Sequence, residues 1–377
     1  MTIYSLVMRN LKLITTGFVI SITMNILCIL PYCRDYYERF KGKVIQTQYF
    51  NSNSPDNEVI EAVIEASITM KTSRFETKKP YMGLIPDIKH YIKHLFIEGG
   101  GRPNNYAEAY LYAGLSYYAL KKMDYKVVDY LDIKAKKFSS GGILNYELTE
   151  VDQVPIGIMF LNLYKLSHDE EFFDVARNIF GFLKSKRIDN SNIIAYRETS
   201  PNEFSDGVGM IVPFLMEYFH VSQDSTALLM ATENVNQFRK YGCDGTTGLP
   251  AHGYNKETHI KVGSANWGRG IGWYLLGCSY LSSNDTILNK SVDLLNYSQF
   301  PLSSNKFDSS TALMFEIFKK SRNPNERRKL DFIKPYITQD GLIMECSGDT
   351  YDLNNYSHFY GPAELTNGLF LILTYKE

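Results

Sequence analysis

Two aspartates, Asp152 and Asp206, each stand just before an apolar run of the sequence. When two carboxyl groups share a poorly solvated site, loss of hydration and mutual repulsion keep one of them protonated near neutral pH. A protonated carboxyl group beside an ionised one is equipped for general acid–base catalysis. The alternative interpretation is that each aspartate is a helix N-cap. The functional interpretation therefore depends on the pair.

A histidine and a tryptophan-rich segment add groups that suit ligand binding. His252 lies in the glycine-containing loop 248–254, where it could bond to a ligand hydroxyl or tune a nearby acid. A structural histidine is the alternative. Residues 266–274 read NWGRGIGWY and contain both tryptophans of the chain. Trp267 offers a flat ring and Arg269 a fork for a carboxylate, although glycine packing and two core tryptophans would also explain this segment.

The elements that carry these residues are predicted to be helices. After residue 55, helical periodicity covers the chain with almost no alternating strand pattern. The helices form pairs in which an apolar first helix is followed by an amphipathic return helix, and a helix that is apolar nearly all round is buried. Six inner helices are predicted to begin near Asn104, Asp152, Asp206, Trp267, Asp308 and Gly361.

This rhythm predicts an all-α fold, a six-hairpin (α/α)6 toroid over residues 55–377, with an open solenoid as the alternative. Glycines along the inner helices would let neighbouring backbones approach closely: Gly157, Gly207, Gly209, Gly270, Gly272 and Gly277. Other helices are predicted at 56–73, 83–97, 124–138, 170–186, 223–241, 285–299 and 325–337. In a ring, the starts of all inner helices face one side, so distant residues converge on one pocket. The expected set is Tyr106, Asp152, Asp206, His252, Trp267, Arg269 and Asp308.

Composition excludes several functional classes. The 40 basic and 41 acidic residues are spread through the chain, so no charged surface indicates a nucleic-acid partner. Five dispersed cysteines do not form a disulfide framework or a zinc spacing, and we expect no metal or cofactor. The glycine pattern at 268–272 follows no strand, so it does not indicate dinucleotide binding. Aromatic residues make up 14%, which suits both helix packing and sugar recognition.

The N-terminal segment predicts a single-pass membrane anchor. After a short tail at 1–12, residues 13–33 carry no charge, which is long enough for a helix to cross a bilayer of about 30 Å. A cleaved signal peptide is the rival interpretation, although no small-x-small site is present. A buried core helix is a third. Residues 34–54 read as a linker, and the catalytic domain is expected on the periplasmic or extracytoplasmic side.

Five motifs occur in the same order in this sequence as in a known enzyme family. The sequence resembles the unsaturated glucuronyl and rhamnogalacturonyl hydrolases, glycoside hydrolase families 88 and 105, from about residue 100 to the end. The motifs are VDQVPIG at 151–157, SDGVGMIVPFL at 205–215, TGLPAHGY at 247–254, WGRGIGW at 267–273 and DSSTALM at 308–314.

The resemblance implies a ring of six helical hairpins and an oligosaccharide substrate that ends in an unsaturated uronic acid. By similarity, Asp206 is the catalytic acid and Asp152 the second, substrate-contacting carboxylate. The acid would protonate the enol ether of the unsaturated sugar, and water would add to it, with no covalent nucleophile or metal. The resemblance also places further residues in the substrate pocket: Tyr106, His252, Trp267, Arg269 and Trp273. Arg269 would hold the uronate carboxylate.

Two departures from the family pattern leave room for other functions. Ile271 stands where the family commonly has Asn, and Pro250 and Ala251 stand where it has an aromatic residue. A toroid that binds glycan without catalysis, for instance during capsule assembly, is therefore the main alternative. An inverting glycosidase or a polysaccharide lyase of the same fold is another.

Overall fold

The helices and strands below are those of a computed structural model. It describes residues 14–25, 48–70, 105–188, 192–197, 199–265, 267–281, 285–294, 307–323, 330–348, 350, 353 and 360–376. The chain divides into two compact units: residues 1–48 with 81–100, and residues 49–80 with 101–377.

The described part of the first unit contains a helix over residues 14–25, within the predicted anchor at 13–33. Residues 26–33 of that anchor lie outside the described residues. No helix in the described part of the chain is both long enough and apolar enough to cross a membrane. The structure therefore does not support the predicted anchor, and the extracytoplasmic location stays a prediction.

The described helices of the second unit form the inner and the outer layer of a ring. In chain order they are α1 (Asp56–Thr69), α2 (Tyr106–Lys122), α3 (Tyr125–Phe138), α4 (Ile156–Ser167), α5 (Glu170–Ser185), α6 (Ser205–Ser222), α7 (Ser225–Gly242), α8 (Gly268–Cys278), α9 (Thr286–Leu294), α10 (Ser309–Arg322) and α11 (Glu364–Tyr375).

Six of these helices close the ring. Helices α2, α4, α6, α8, α10 and α11 pack each against the next, and α11 packs back against α2. Every residue of α8 is buried, whereas α5 buries only one stripe that includes Phe172, Ile179 and Leu183. The apolar and amphipathic patterns thus separate inner from outer helices as predicted. The closed contacts exclude the open solenoid for this part of the chain.

Short antiparallel strands lie in the segments that lead into the inner helices. Strands β1 (Ser139–Ser140) and β2 (Ile143–Leu144) form one pair, β3 (Asn202–Phe204), β4 (Gly253–Asn255) and β5 (Lys261–Val262) form a three-stranded sheet, and β6 (Cys346–Ser347) pairs with β7 (Tyr360–Gly361). In the three-stranded sheet, Glu203 stands opposite Tyr254. This sheet fixes the loop before α6 against the loop that carries His252.

Glycines let the first and last inner helices touch backbone to backbone. A Cβ added to Gly114 of α2 would stand 2.3 Å from the carbonyl oxygen of Gly368 in α11, too close for any side chain. Of the glycines predicted to serve this purpose, Gly209 and Gly277 do so, because each would meet backbone atoms of a neighbouring inner helix within 3.0 Å. The others mainly face side chains.

A side chain from α2 replaces the hydrogen-bond donor that a proline removes from α6. Pro213 has no N–H, so the carbonyl of Gly209, four residues earlier, lacks its usual helical donor. The hydroxyl of Tyr110 in α2 donates to this carbonyl at 2.5 Å. Tyr110 is fully buried, so this hydrogen bond satisfies an acceptor that water does not reach.

One predicted outer helix is wrong in its described part. Instead of a helix over 325–337, the structure has two short 3₁₀ turns, Leu330–Phe332 and Lys334–Tyr336. Lys334 is buried, and its ammonium donates to the backbone carbonyls of Ser52 and Ser54. These contacts with a distant segment favour turns over a continuous helix. The helix predicted at 83–97 lies outside the described residues.

Replacing Tyr110 with Phe should lower the free energy of unfolding by about 1–3 kcal/mol, because the Gly209 carbonyl is then buried without a donor. The cost should be smaller in a Pro213→Ala background, where residue 213 regains an N–H that can reach Gly209. Urea unfolding of the four proteins in this cycle measures both quantities. An equal cost in the two backgrounds would contradict the assigned role.

Candidate active site

The two predicted aspartates occupy neighbouring inner-helix starts. Asp206 is the second residue of α6, and Asp152 lies within a 3₁₀ turn, Val151–Gln153, that leads into α4. Neither aspartate is the residue that caps its helix, whereas Asp308 is the N-cap of α10 and accepts the Thr311 N–H at 2.8 Å. The cap interpretation therefore describes Asp308 and not the predicted pair.

The environment of Asp206 favours its protonated form. Burial and the negative charge of Asp152 raise the pKa of Asp206 to about 7, although its own backbone N–H, Arg269 and Arg197 act in the opposite direction. The start of α6 would also favour an ionised carboxylate. Loss of hydration and repulsion outweigh these effects, and the side chain is only 15% exposed. Asp206 can therefore hold a transferable proton at neutral pH.

His252 and Trp267 lie beside Asp206. The Nε2 atom of His252 is 3.7 Å from Oδ2 of Asp206, longer than a hydrogen bond. The His252 ring lies 4.2 Å from the Trp267 ring and 5.4 Å from the Phe204 ring, measured between centroids. The His252 carbonyl also accepts the Ser205 N–H at 2.9 Å, which joins the histidine loop to the start of α6.

Tyr196, which the sequence analysis did not identify, binds Asp152. Its hydroxyl donates to Oδ1 of Asp152 at 2.8 Å, and its ring packs against Phe204. Burial and the charges of Asp152 and Asp206 hold the pKa of the Tyr196 hydroxyl well above its usual range. The Tyr196 N–H donates in turn to Oε2 of Glu203 at 3.0 Å. Tyr196 is therefore a neutral donor that orients Asp152.

Glu203 is a second buried acid of this loop. Burial raises its pKa to about 7, against the effects of the Tyr196 N–H and of Lys256, whose Nζ lies 3.8 Å from Oε1. Sequence analysis missed it because Glu203 belongs to a three-residue strand, too short to show a period.

Arg269 is bound within the protein. Its guanidinium forms an ion pair with Asp308 at 2.8 Å and also donates to the backbone carbonyls of Ser347 and Gly348. Both side chains of the pair are at least 96% buried. Although burial alone would raise the pKa of Asp308, Arg269 and hydrogen bonds from Ser347, Thr311 and Ser310 lower it to about 2. The pair thus joins α8, α10 and the loop before α11.

The predicted pocket residues Tyr106 and Trp273 form an aromatic pair of their own. Their rings meet edge to face at 5.6 Å, and Trp273 also contacts Tyr110. Trp273 is 1% exposed and lies against Gly209, one helical turn further along α6 from Asp206. Trp273 is therefore a core residue beneath the site, and Tyr106, half-buried, is the member of the pair that lies nearer to solvent.

Two residues that depart from the family pattern are buried. Ile271 is 9% exposed within α8, and Ala251 is buried in the loop that carries His252.

The structure shows no candidate metal site among its described residues. No three His, Cys, Asp or Glu side chains are grouped there so that they could hold a metal ion.

A closed ring of six inner helices, with an acid whose pKa is raised to about 7 and a second carboxylate at the helix starts, defines an α/α toroid with an acidic site. The chain belongs to Glycosyl Hydrolase Family 88, whose family model matches residues 87–284, more than half of the chain. This match confirms the resemblance found in the sequence, and the protein is a glycosidase. None of the curated proteins matches the chain.

Solved structures share the fold at low sequence identity. A family 105 glycoside hydrolase from C. acetobutylicum ATCC 824 is 20% identical, with a TM-score of 0.58 over 72% of this chain and 92% of that chain. A possible GH105 member from Salmonella enterica subsp. enterica serovar Paratyphi A is 15% identical, with a TM-score of 0.64 over 84% and 93%. A UGL variant with dGlcA-Glc-Rha-Glc is 11% identical, with a TM-score of 0.58 over 84% and 95%.

Replacing Asp206 with Asn should stabilise the protein at pH 8 and change little at pH 4. The folded protein keeps a proton on Asp206 up to about pH 7, whereas the unfolded chain releases it near pH 4. Stability from this group is complete below pH 4 and is lost as the pH rises through about 7. The neutral amide avoids that loss, which is on the order of 2–4 kcal/mol.

Urea unfolding of both proteins at the two pH values measures this difference. Asp169→Asn is the matched control, because Asp169 is an aspartate at the exposed N-cap of the outer helix α5 and not at the start of an inner helix. The same wild-type minus variant difference at pH 4 and pH 8 would mean that folding does not raise the pKa of Asp206.

Proposed function

We propose that the protein removes a terminal unsaturated uronic acid from an oligosaccharide, with Asp206 as general acid. The observation that carries this proposal is an acid with a pKa raised to about 7, held beside a second carboxylate at the entrance of the ring. An enol ether is an electron-rich alkene that accepts a proton on carbon. A carboxylic acid that stays protonated at neutral pH suits that step.

The proposed reaction uses Asp206 twice. Its carboxyl group donates a proton to C4 of the C4=C5 enol ether, which leaves positive charge shared between C5 and the ring oxygen. Water then adds to C5, and the ionised Asp206 accepts the proton of that water. The resulting hemiketal opens to a C5 ketone and releases the remaining sugar from C1. The nearby Asp152 stabilises the positive charge at C5 by simple electrostatic attraction.

The surrounding residues suit this chemistry. The Nε2 atom of His252, 3.7 Å from Asp206, is close enough to share a water or a sugar hydroxyl with it. Trp267 packs against His252 and limits the directions in which that ring can turn. Tyr196 holds Asp152 in place by a hydrogen bond of 2.8 Å. The hydrogen bond from Tyr196 fixes Asp152 before a substrate binds, which lowers the cost of reaching the transition state.

Unsaturated uronyl disaccharides should lose their enol-ether absorbance with the wild-type protein and keep it with Asp206→Asn. The loss of turnover should be at least about 1,000-fold, since the amide has no acidic proton to transfer. Binding of the substrate, measured by calorimetry, should persist in the variant. Asp169→Asn is again the matched control and should be fully active.

Hydrolysis in D₂O adds a readout of the bond that forms. The product should carry one deuterium at C4, detected by NMR. A product without deuterium at C4 would point to ordinary glycosidic cleavage, and a gain of absorbance would point to a lyase. If the substrates bind but the absorbance stays constant across a broad panel, the protein is a glycan-binding toroid and the proposal is wrong.

A further inference from the structure

The carboxylate of an unsaturated uronate needs a cation in a site that already holds two aspartates. Without a counter-charge, a third carboxylate next to Asp152 and Asp206 would be repelled. Among the residues that the structure describes, three cationic side chains lie near these aspartates or the loops beside them: Arg269, Arg197 and Lys256. Their different environments decide which of them can accept a ligand.

Arg269 is already occupied by protein groups. Asp308 is its ion-pair partner, and the carbonyls of Ser347 and Gly348 accept further hydrogen bonds from its guanidinium. Moving it onto a ligand would leave the buried Asp308 carboxylate without its cationic partner, which is strongly unfavourable. Arg269 therefore acts on the site as a fixed positive charge and holds three segments together.

Lys256 is also committed to the protein. Its ammonium lies 3.8 Å from Oε1 of Glu203 and 3.5 Å from the backbone carbonyl of Arg197. Its side chain is 24% exposed. Because Glu203 accepts the Tyr196 N–H through its other oxygen, Lys256 fixes both ends of the Tyr196–Arg197 segment. The role of Lys256 is thus to position the loop.

Arg197 differs from both because it is exposed. The central carbon of its guanidinium lies 5.5 Å from the centre of the Tyr196 ring, whose hydroxyl binds Asp152. Within the described part of the chain, Arg197 forms no ion pair with a carboxylate. Its charge is close enough to act on Asp206. Arg197 therefore combines proximity to the acid with access to solvent.

We infer that Arg197, rather than Arg269, binds the carboxylate of the unsaturated uronate. The planar fork of a guanidinium matches a carboxylate through two parallel hydrogen bonds. Its position over the ring of Tyr196 places this fork beside the residue that binds Asp152. This inference rests on the proposed function and identifies the residue that makes the site specific for an acidic sugar.

Arg197→Ala should raise KM for an unsaturated uronyl disaccharide by about 10–100-fold, the usual effect of losing a hydrogen bond to a charged group. The decisive comparison uses the methyl ester of the same substrate. The wild-type protein should prefer the acid to the ester, whereas Arg197→Ala should treat the two alike. Arg197→Lys should restore part of the preference, since it keeps the charge but not the fork.

Arg177→Ala is the matched control, because Arg177 is an exposed arginine that also lies over an aromatic ring, that of Phe173, but belongs to the outer helix α5. It should keep the wild-type preference for the acid. A wild-type preference in Arg197→Ala would overturn the inference while leaving the enzyme active, which separates this failure from failure of the proposed function.

If the wild-type protein turns over no substrate, equilibrium binding still tests the inference. Calorimetry would then compare the unsaturated uronic acid with its methyl ester on the wild-type and Arg197→Ala proteins. Weaker binding of the acid to Arg197→Ala supports the assignment. Equal binding of the acid to both proteins refutes it.

Discussion

Repulsion between Asp152 and Asp206 in a poorly hydrated space is the constraint around which this site is built. Each aspartate stands at the start of an inner helix, and closure of the ring brings these starts to one side. Burial and the charge of Asp152 together raise the pKa of Asp206 to about 7. The same arrangement lowers stability as the pH rises from about 4 through about 7, so the property that suits catalysis costs the fold some free energy.

Other parts of the structure hold that costly arrangement in place. Tyr196 donates to Asp152, and the three-stranded sheet ties the loop before α6 to the loop of His252. The buried pair of Arg269 and Asp308 joins two inner helices to the loop before α11. A buried ion pair of this kind adds little net stability, but breaking it would be expensive. The ion pair therefore fixes the relative positions of these segments. The positive charge of Arg269 also limits how far the pKa of Asp206 can rise.

Much of the ring could be predicted from the sequence because its inner helices are apolar on nearly all sides. The predicted starts at Asp152, Asp206, Trp267 and Asp308 lie within four residues of the observed ones. The helix that local periodicity predicts at 325–337 is wrong in its described part. Lys334 there donates to backbone carbonyls almost three hundred residues away in the sequence. No local pattern contains such a contact. Hydropathy alone suggested the anchor at 13–33. The structure does not support it, because no described helix is both long and apolar enough to cross a membrane.

The structure brings several of the candidate residues close together, but their pairings could not be predicted from the sequence. The charge of Asp152 acts on Asp206, and His252 lies between Asp206 and the ring of Trp267. That Arg269 would bind Asp308 could not be read from the sequence, because the pair depends on how α8 and α10 pack. Tyr196 and Glu203 belong to loops without a period, and their roles follow only from the path of the chain between α5 and α6.

Titration of the Asp206 carboxyl group tests this account most directly. Its ¹³C NMR signal, assigned by comparison with Asp206→Asn, should titrate with a pKa of about 7 in the wild-type protein. In Asp152→Asn the pKa should fall but stay above its ordinary value, because burial remains. A wild-type pKa near 4 would contradict the account, since the acid would then be ionised at neutral pH and could not supply the proton.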